Sequence, residues 1–233
     1  MCPAGEPCYN GLRAPARRLG PADGPHKMME APPGDIPLIL ASSSRRRRSL
    51  LREAGIAFET VAPPIHEPDE VDGKLPPVQQ AEALAYFKAR AVQQRMRRPA
   101  FVLGADTIVL SAPGHILGKP ADAGEARGML QALSNTTHDV ITGVAILGPN
   151  QHRIIASEVT RVTMRPVGLR EIDEYIDSGE WKGKAGAYAI QETADKFIAN
   201  LDGSFSNVVG LPIELVTRML AELRRHREAH RTE

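Results

Sequence analysis

Leu38–Leu51, LILASSSRRRRSLL, decides the fold: an apolar run passes through three serines into four consecutive arginines. The run Ile36–Ala41 is long enough for a buried strand and too short for a helix with a buried face. Arg45–Ala54 then reads as a helix, with Ser44 at the N-cap, Leu50, Leu51 and Ala54 on one face, and Gly55 closing the end. A strand turning directly into a helix is the start of an α/β domain. Arginine is out of place at that end of a helix, because the first turn already carries about half a positive charge and each added cation costs about 0.3–1 kcal/mol. Serine hydroxyls, helix N–H groups and guanidinium forks at such a turn make an anion cradle. The plainer alternative is a solvated basic face or a loose nucleic-acid patch.

Composition narrows the choice. The chain has 233 residues, with 29 basic and 28 acidic side chains and a net charge of +1, so no global field favours DNA or a membrane surface. Aromatic residues make up 4%, too few for a base-stacking platform. The only cysteines are Cys2 and Cys8, which fits a reducing compartment and a cytoplasmic location. No stretch approaches the roughly 20 apolar residues of a membrane span. Residues 1–35, rich in Pro, Gly, Ala and Arg, are expected to form a disordered leader, residues 36–228 a single domain, and residues 229–233 a frayed tail.

Outward from the opening stretch, Ile56–Val61 reads as a strand and Ala62–Pro77 as an acidic, Pro-rich loop holding His66 and Glu67. Val78–Met96 reads as a helix with Ala81, Leu84, Ala85, Lys88 and Ala89 at helical spacing. Ala100–Leu110, AFVLGADTIVL, is a central strand broken only by Asp106 and Thr107. His115–Pro120 returns the chain, and Ala121–Leu133 is a helix capped by Asp122. Strands are expected over His138–Leu147 and Arg153–Met164, with a helix over Gly168–Ser178. Short strands are expected near Ala187–Gln191 and Lys196–Leu201, and a last helix over Ile213–Arg227. The alternation of strands and helices with one long hairpin predicts a mixed, twisted sheet flanked by helices.

A carboxylate inside an apolar strand must be paired, bound to metal or protonated, so Asp106 is a salt-bridge partner, a metal ligand or a general base. Lys88 on a buried stripe needs an anionic partner. Lys119, held between Gly118 and Pro120, and Lys184, in Gly183-Lys184-Ala185-Gly186, add cations on constrained backbone. Arginines, lysines and carboxylates in this proportion suit a polyphosphate with a divalent metal such as Mg²⁺ or Mn²⁺. Neither GxxxxGK[ST] nor GxGxxG occurs.

Seven segments occur in order: Leu40–Leu51, Ile65–Glu67, Lys88–Ala89, Gly104–Val109 (GADTIV), Gly118–Pro120, Lys184–Gln191 (KAGAYAIQ) and Asn207–Pro212 (NVVGLP). In these the chain resembles the Maf family of nucleoside triphosphate pyrophosphatases, over about Pro37 to Leu220. The resemblance implies an elongated, two-lobed α/β fold with a central cleft, related to that of the inosine triphosphatases. It implies hydrolysis to a nucleoside monophosphate and pyrophosphate, dependent on a divalent cation. It also implies a homodimer, while the net charge and scarce aromatics argue against a nucleic-acid partner and the hydropathy against a membrane one. Carried over, Ser42, Ser44, Arg46, Arg47, Thr107, Lys184 and Gln191 would bind substrate. Asp106, Glu67, Lys119 and Lys88 would be catalytic, with Glu67 and Asp106 serving the metal and the attacking water. Asp106-Thr107 and Tyr188-Ala189-Ile190-Gln191 resemble the branch acting on dTTP and UTP. The alternatives are a 7-methyl-GTP or other purine nucleotide pyrophosphatase and a non-catalytic nucleotide-binding regulator of septum formation. Arg45 stands where the family usually has proline, His66 replaces a common aspartate, and Ala189 and Glu192 replace glycines.

Overall fold

The computed structural model describes residues 36–64, 75–149, 152–191 and 193–229. The expected site residue Glu67 therefore lies outside the described residues, as do its neighbour His66 and residues 1–35 and 230–233.

The strands β1 (Leu38–Ala41), β2 (Glu59–Val61), β3 (Phe101–Leu110), β5 (Thr137–Leu147), β6 (Arg153–Met164) and β7 (Ile198–Asp202) form one mixed sheet in the order β2-β1-β3-β5-β6-β7. A short β4 (Ile116–Leu117) pairs with the end of β3. The helices are α1 (Arg45–Glu53), α2 (Pro77–Gln93), α3 (Ala123–Leu133), α4 (Leu169–Ser178), α5 (Phe205–Val209) and α6 (Ile213–Ala229). Strands β1, β2 and β3 are parallel, as their helical crossovers require, and every later pairing is antiparallel.

Three apolar clusters hold the sheet. On one face Leu40 and Leu103 pack with Leu51 of α1 and with Val216 and Met219 of α6. On the other face Ile39 and Val102 pack under Ala85, Ala89 and Val92 of α2. At the far end α3 and α4 bury Leu130, Leu133 and Ile172 with Trp181, Tyr188 and Phe197. Trp181 belongs to this core, and its Nε1 donates to the Ile176 carbonyl at 3.1 Å.

Helix α2 lies unusually low on the sheet. Its buried alanines, Ala81, Ala85 and Ala89, face Gly104 of β3 and Gly143 of β5. A Cβ on Gly143 would overlap the backbone of Ala81 and Glu82, and one on Gly104 would overlap Ala85 O and sit 2.8 Å from Ala89 N. Glycine is required at both positions by this backbone-to-backbone approach.

The structure differs from the sequence expectation in two places. Ala187–Gln191 is not a strand. The chain makes a 3-10 turn over Ala185–Ala187 with φ of 65° at Gly186 and 63° at Ala187, which no strand accommodates. The short helix α5 was hidden, because five residues do not complete two turns of a periodic pattern. Among the described residues, no helix is long and apolar enough to cross a membrane.

Candidate functional site

Strand β1 pairs with β3 only through Leu38–Leu40 opposite Phe101–Leu103, and β4 pairs only with Val109 and Leu110. Between them, Ala105–Ile108 has no strand partner on that edge among the described residues. A cleft of about 440 Å³ opens there, at the C-terminal end of β1, where α/β sheets place ligands. That volume suits a nucleotide-sized ligand.

The turn after β1 forms one wall. Ser44 caps α1, and its Oγ accepts from Arg47 N at 3.4 Å; Ser42 Oγ accepts from Ser44 N at 3.2 Å. No acidic residue balances the arginines in the first turn. Ser42, Ser44, Arg46 and Arg47 all line the cleft. Arg47 is firmly placed: Nε donates to Gly210 O at 2.8 Å, Nη2 to Thr107 Oγ1 at 3.2 Å, and Nη1 to Ser42 Oγ at 3.5 Å.

Asp106 and Thr107 point to opposite faces of β3, as neighbours on a strand must. Asp106 faces α2, and its Oδ1 accepts from Lys88 Nζ at 2.5 Å; both side chains are nearly buried. The close approach of α2 to Gly104 and Gly143 brings Lys88 to this depth. Lys119 reaches the cleft from the loop after β4, whose Gly118 carbonyl accepts from Gly186 N at 3.0 Å. Lys184 is buried, donating from Nζ to the Glu180 carbonyl, and also lines the cleft. Gln191 is exposed at the rim. Every expected site residue within the described segments is thus gathered around one cleft; Glu67 alone lies outside them.

The charge of this cleft is lopsided. Arg45, Arg46, Arg47, Lys88, Lys119 and Lys184 line it, against Asp106 as the single carboxylate among the described residues. A concentration of cations at a chain-wide charge of +1 marks a local anion site, and their spacing along several elements marks an extended anion.

Tyr188 contributes to the apolar part of the wall, and its hydroxyl lies 2.8 Å from Nε2 of His138 on β5. Burial holds the His138 imidazole down at about 4 and pushes the Tyr188 phenol above its usual range. No role is read in the sequence for His138 or Thr142, nor for Asn207 beyond its place at the head of NVVGLP. The signal available for them was polar residues inside apolar segments, the same signal that marks Asp106.

The family model of the Maf-like protein matches residues 37–223. The chain belongs to the Maf-like family. Among Maf-like relatives, one from Koribacter versatilis is 46% identical over 183 residues, covering 78% of this chain and 92% of its own. A relative from Pelotomaculum thermopropionicum is 45% identical over 184 residues, covering 78% of this chain and 94% of its own. Both bear the name dTTP/UTP pyrophosphatase. A crystal structure of a nucleoside-triphosphatase / dITP/XTP pyrophosphatase from Mycobacterium abscessus is 16% identical, with a TM-score of 0.37 over 57% of this chain and 76% of its own. The Maf-like assignment agrees with a mixed sheet flanked by helices and with a cleft at its open edge.

Proposed function

We propose that the chain hydrolyses nucleoside triphosphates, dTTP and UTP foremost, to the nucleoside monophosphate and pyrophosphate. The observation that carries this reading is six basic side chains converging on one nearly buried carboxylate at the open edge of β3. The names of the Maf-like relatives point to the same substrates.

In this mechanism Ser42, Ser44, Arg46 and Arg47 hold the triphosphate across the C-terminal end of β1. Lys88 fixes the direction of Asp106 through their ion pair. Asp106 or Glu67 takes a proton from water as its oxygen attacks the α-phosphorus. The bond from that phosphorus to the bridging oxygen breaks, and pyrophosphate leaves. Lys119 and Lys184 balance the charge that builds on the transferring and leaving phosphates. The Gln191 amide, able to donate and accept together, suits the adjacent C=O and N–H of a pyrimidine edge.

The donor chemistry fits a divalent cation of the Mg²⁺ or Mn²⁺ type. All candidate ligands are oxygens, and one or two carboxylates with substrate phosphates suffice for Mg²⁺. Among the described residues there is no cluster of three His, Cys, Asp or Glu. Asp106, with Glu67, would hold the ion, which would supply charge neutralisation on the phosphates. A cytoplasmic homodimer is part of this proposal; the absence of cysteine from residues 36–233 fits a reducing compartment.

A hydrolysis screen with Mg²⁺ or Mn²⁺ across dTTP, UTP, CTP, GTP, ATP and 7-methyl-GTP tests it, with pyrophosphate and orthophosphate detected separately. Pyrophosphate release led by dTTP and UTP is expected. Release led by a purine overturns the pyrimidine assignment, and orthophosphate alone overturns the site of cleavage.

A further inference from the structure

Thr107 stands in the cleft, yet its hydroxyl is committed within the protein. Its oxygen accepts from Arg47 Nη2 at 3.2 Å and lies 2.9 Å from Thr142 Oγ1 and 3.5 Å from Gly210 O. Thr142 has no exposed surface, and its Oγ1 lies 3.3 Å from the Asn207 carbonyl. Each hydroxyl has one proton, and both carbonyls only accept. The protons therefore run either from Thr107 to Thr142 to Asn207 O, or from Thr142 to Thr107 to Gly210 O. In both orders Thr107 offers Arg47 a lone pair.

The frame behind this chain is rigid. Asn207 is fully buried and donates from Nδ2 to Val140 O at 2.9 Å on β5 and to Thr160 Oγ1 at 3.0 Å on β6. That amide pins α5 across two strands. Gly210, just past the end of α5 with φ of 125°, turns its carbonyl onto Arg47 Nε. One plane of the guanidinium is thereby fixed from three sides, by Gly210, Thr107 and Ser42.

We propose that Thr107 and Thr142 are positioning residues for Arg47, anchored through Asn207. This rests on the cleft being a nucleotide site. Pre-set side chains lose less freedom on binding, so a loosened Arg47 weakens ground-state and transition-state contacts together.

The test combines steady-state dTTP hydrolysis with side-chain NMR of the Arg47 Nε–H, assigned by its disappearance in Arg47→Lys. Thr142→Val keeps the shape and removes the hydroxyl; Thr142→Ser keeps the hydroxyl. Melting curves confirm that each variant is folded. Thr142→Val should raise KM about 10-fold with kcat within about threefold, in line with loss of a hydrogen bond serving a charged group. Thr142→Ser should restore KM, and Thr142→Val should add nothing in an Arg47→Ala background. The Arg47 Nε–H should exchange faster with solvent in Thr142→Val. A KM within twofold of the parent, or the same rise with Arg47 already removed, overturns the proposal. If the parent protein turns over no nucleotide, the functional reading fails by itself, and the NMR decides the positioning: unchanged exchange in Thr142→Val overturns it, faster exchange sustains it. Should Thr142→Val not fold, Thr107→Val read by the same two measurements replaces it, with the same outcomes.

Discussion

Asp106 and Gly143 stand directly opposite each other on β3 and β5, and the missing side chain of the second determines the partner of the first. Because Gly143 has no Cβ, the Ala81 turn of α2 rests on the strand backbone, and Lys88, two turns on, reaches Asp106 at 2.5 Å. Gly143→Ala should lower stability by about 1–3 kcal/mol, the usual range for an overpacked core, and should reduce turnover by separating the ion pair. Thermal melts with parallel kinetics check this. A variant with parental Tm and parental kcat would show that α2 can rise without consequence.

Asp106→Asn keeps the shape of the side chain and removes its charge. Turnover should fall by at least about 10²-fold, the typical worth of a positioned acid–base group. Loss of the buried partner of Lys88 should also lower the melting temperature, since breaking a buried pair costs about 3–5 kcal/mol. Kinetics are therefore compared well below the variant's own melting temperature. Near-parental kcat there removes Asp106 from the chemistry.

Lys119 offers the opposite case. Its side chain is exposed, so Lys119→Ala should shift stability by no more than about 0.5 kcal/mol. A cation aimed at developing phosphate charge is worth more, and kcat/KM should fall by about 10²-fold. Activity lost in proportion to stability would make Lys119 structural.

His138 sets an acid limit on the fold. Its imidazole titrates at about 4 in the folded protein, against about 6.5 when unfolded, because burial disfavours the charged form. Between those values the unfolded chain binds the additional proton. The contribution is complete above pH 6.5 and is lost as pH falls from 6.5 towards 4, by about 3 kcal/mol in all. Melting temperatures from pH 7 to 4.5 should fall more steeply for the parent than for His138→Phe. Parallel slopes would assign acid sensitivity to other groups.

The parts of the site that were legible in the sequence share one property: each violates a local rule. Arg45–Arg48 sit at the wrong end of a helix, Asp106 interrupts an apolar strand, and Lys88 falls on a stripe of buried alanines. The Ser44 and Asp122 caps were readable because a cap acts on residues two or three positions away. Residues whose role depends on distant partners were not readable. Asn207 acts on strands some 47 and 67 residues earlier in the chain, and Gly210 acts on Arg47 at a separation of 163. Ala187–Gln191 misled because its apolar residues suit a strand, whereas Gly118 and Val109 receive the segment as a turn.

Strands β5 and β6 are paired without interruption from Thr137 opposite Thr163 to Leu147 opposite Arg153, and they pass beneath both ends of the molecule. That ladder is a common spine. A bend across it would shear eleven consecutive residue pairs, so the sheet beneath the cleft is stiff. The floor of the cleft is consequently built before any ligand arrives. Opening of its mouth falls to residues outside the ladder, such as the exposed Gly118 and Lys119.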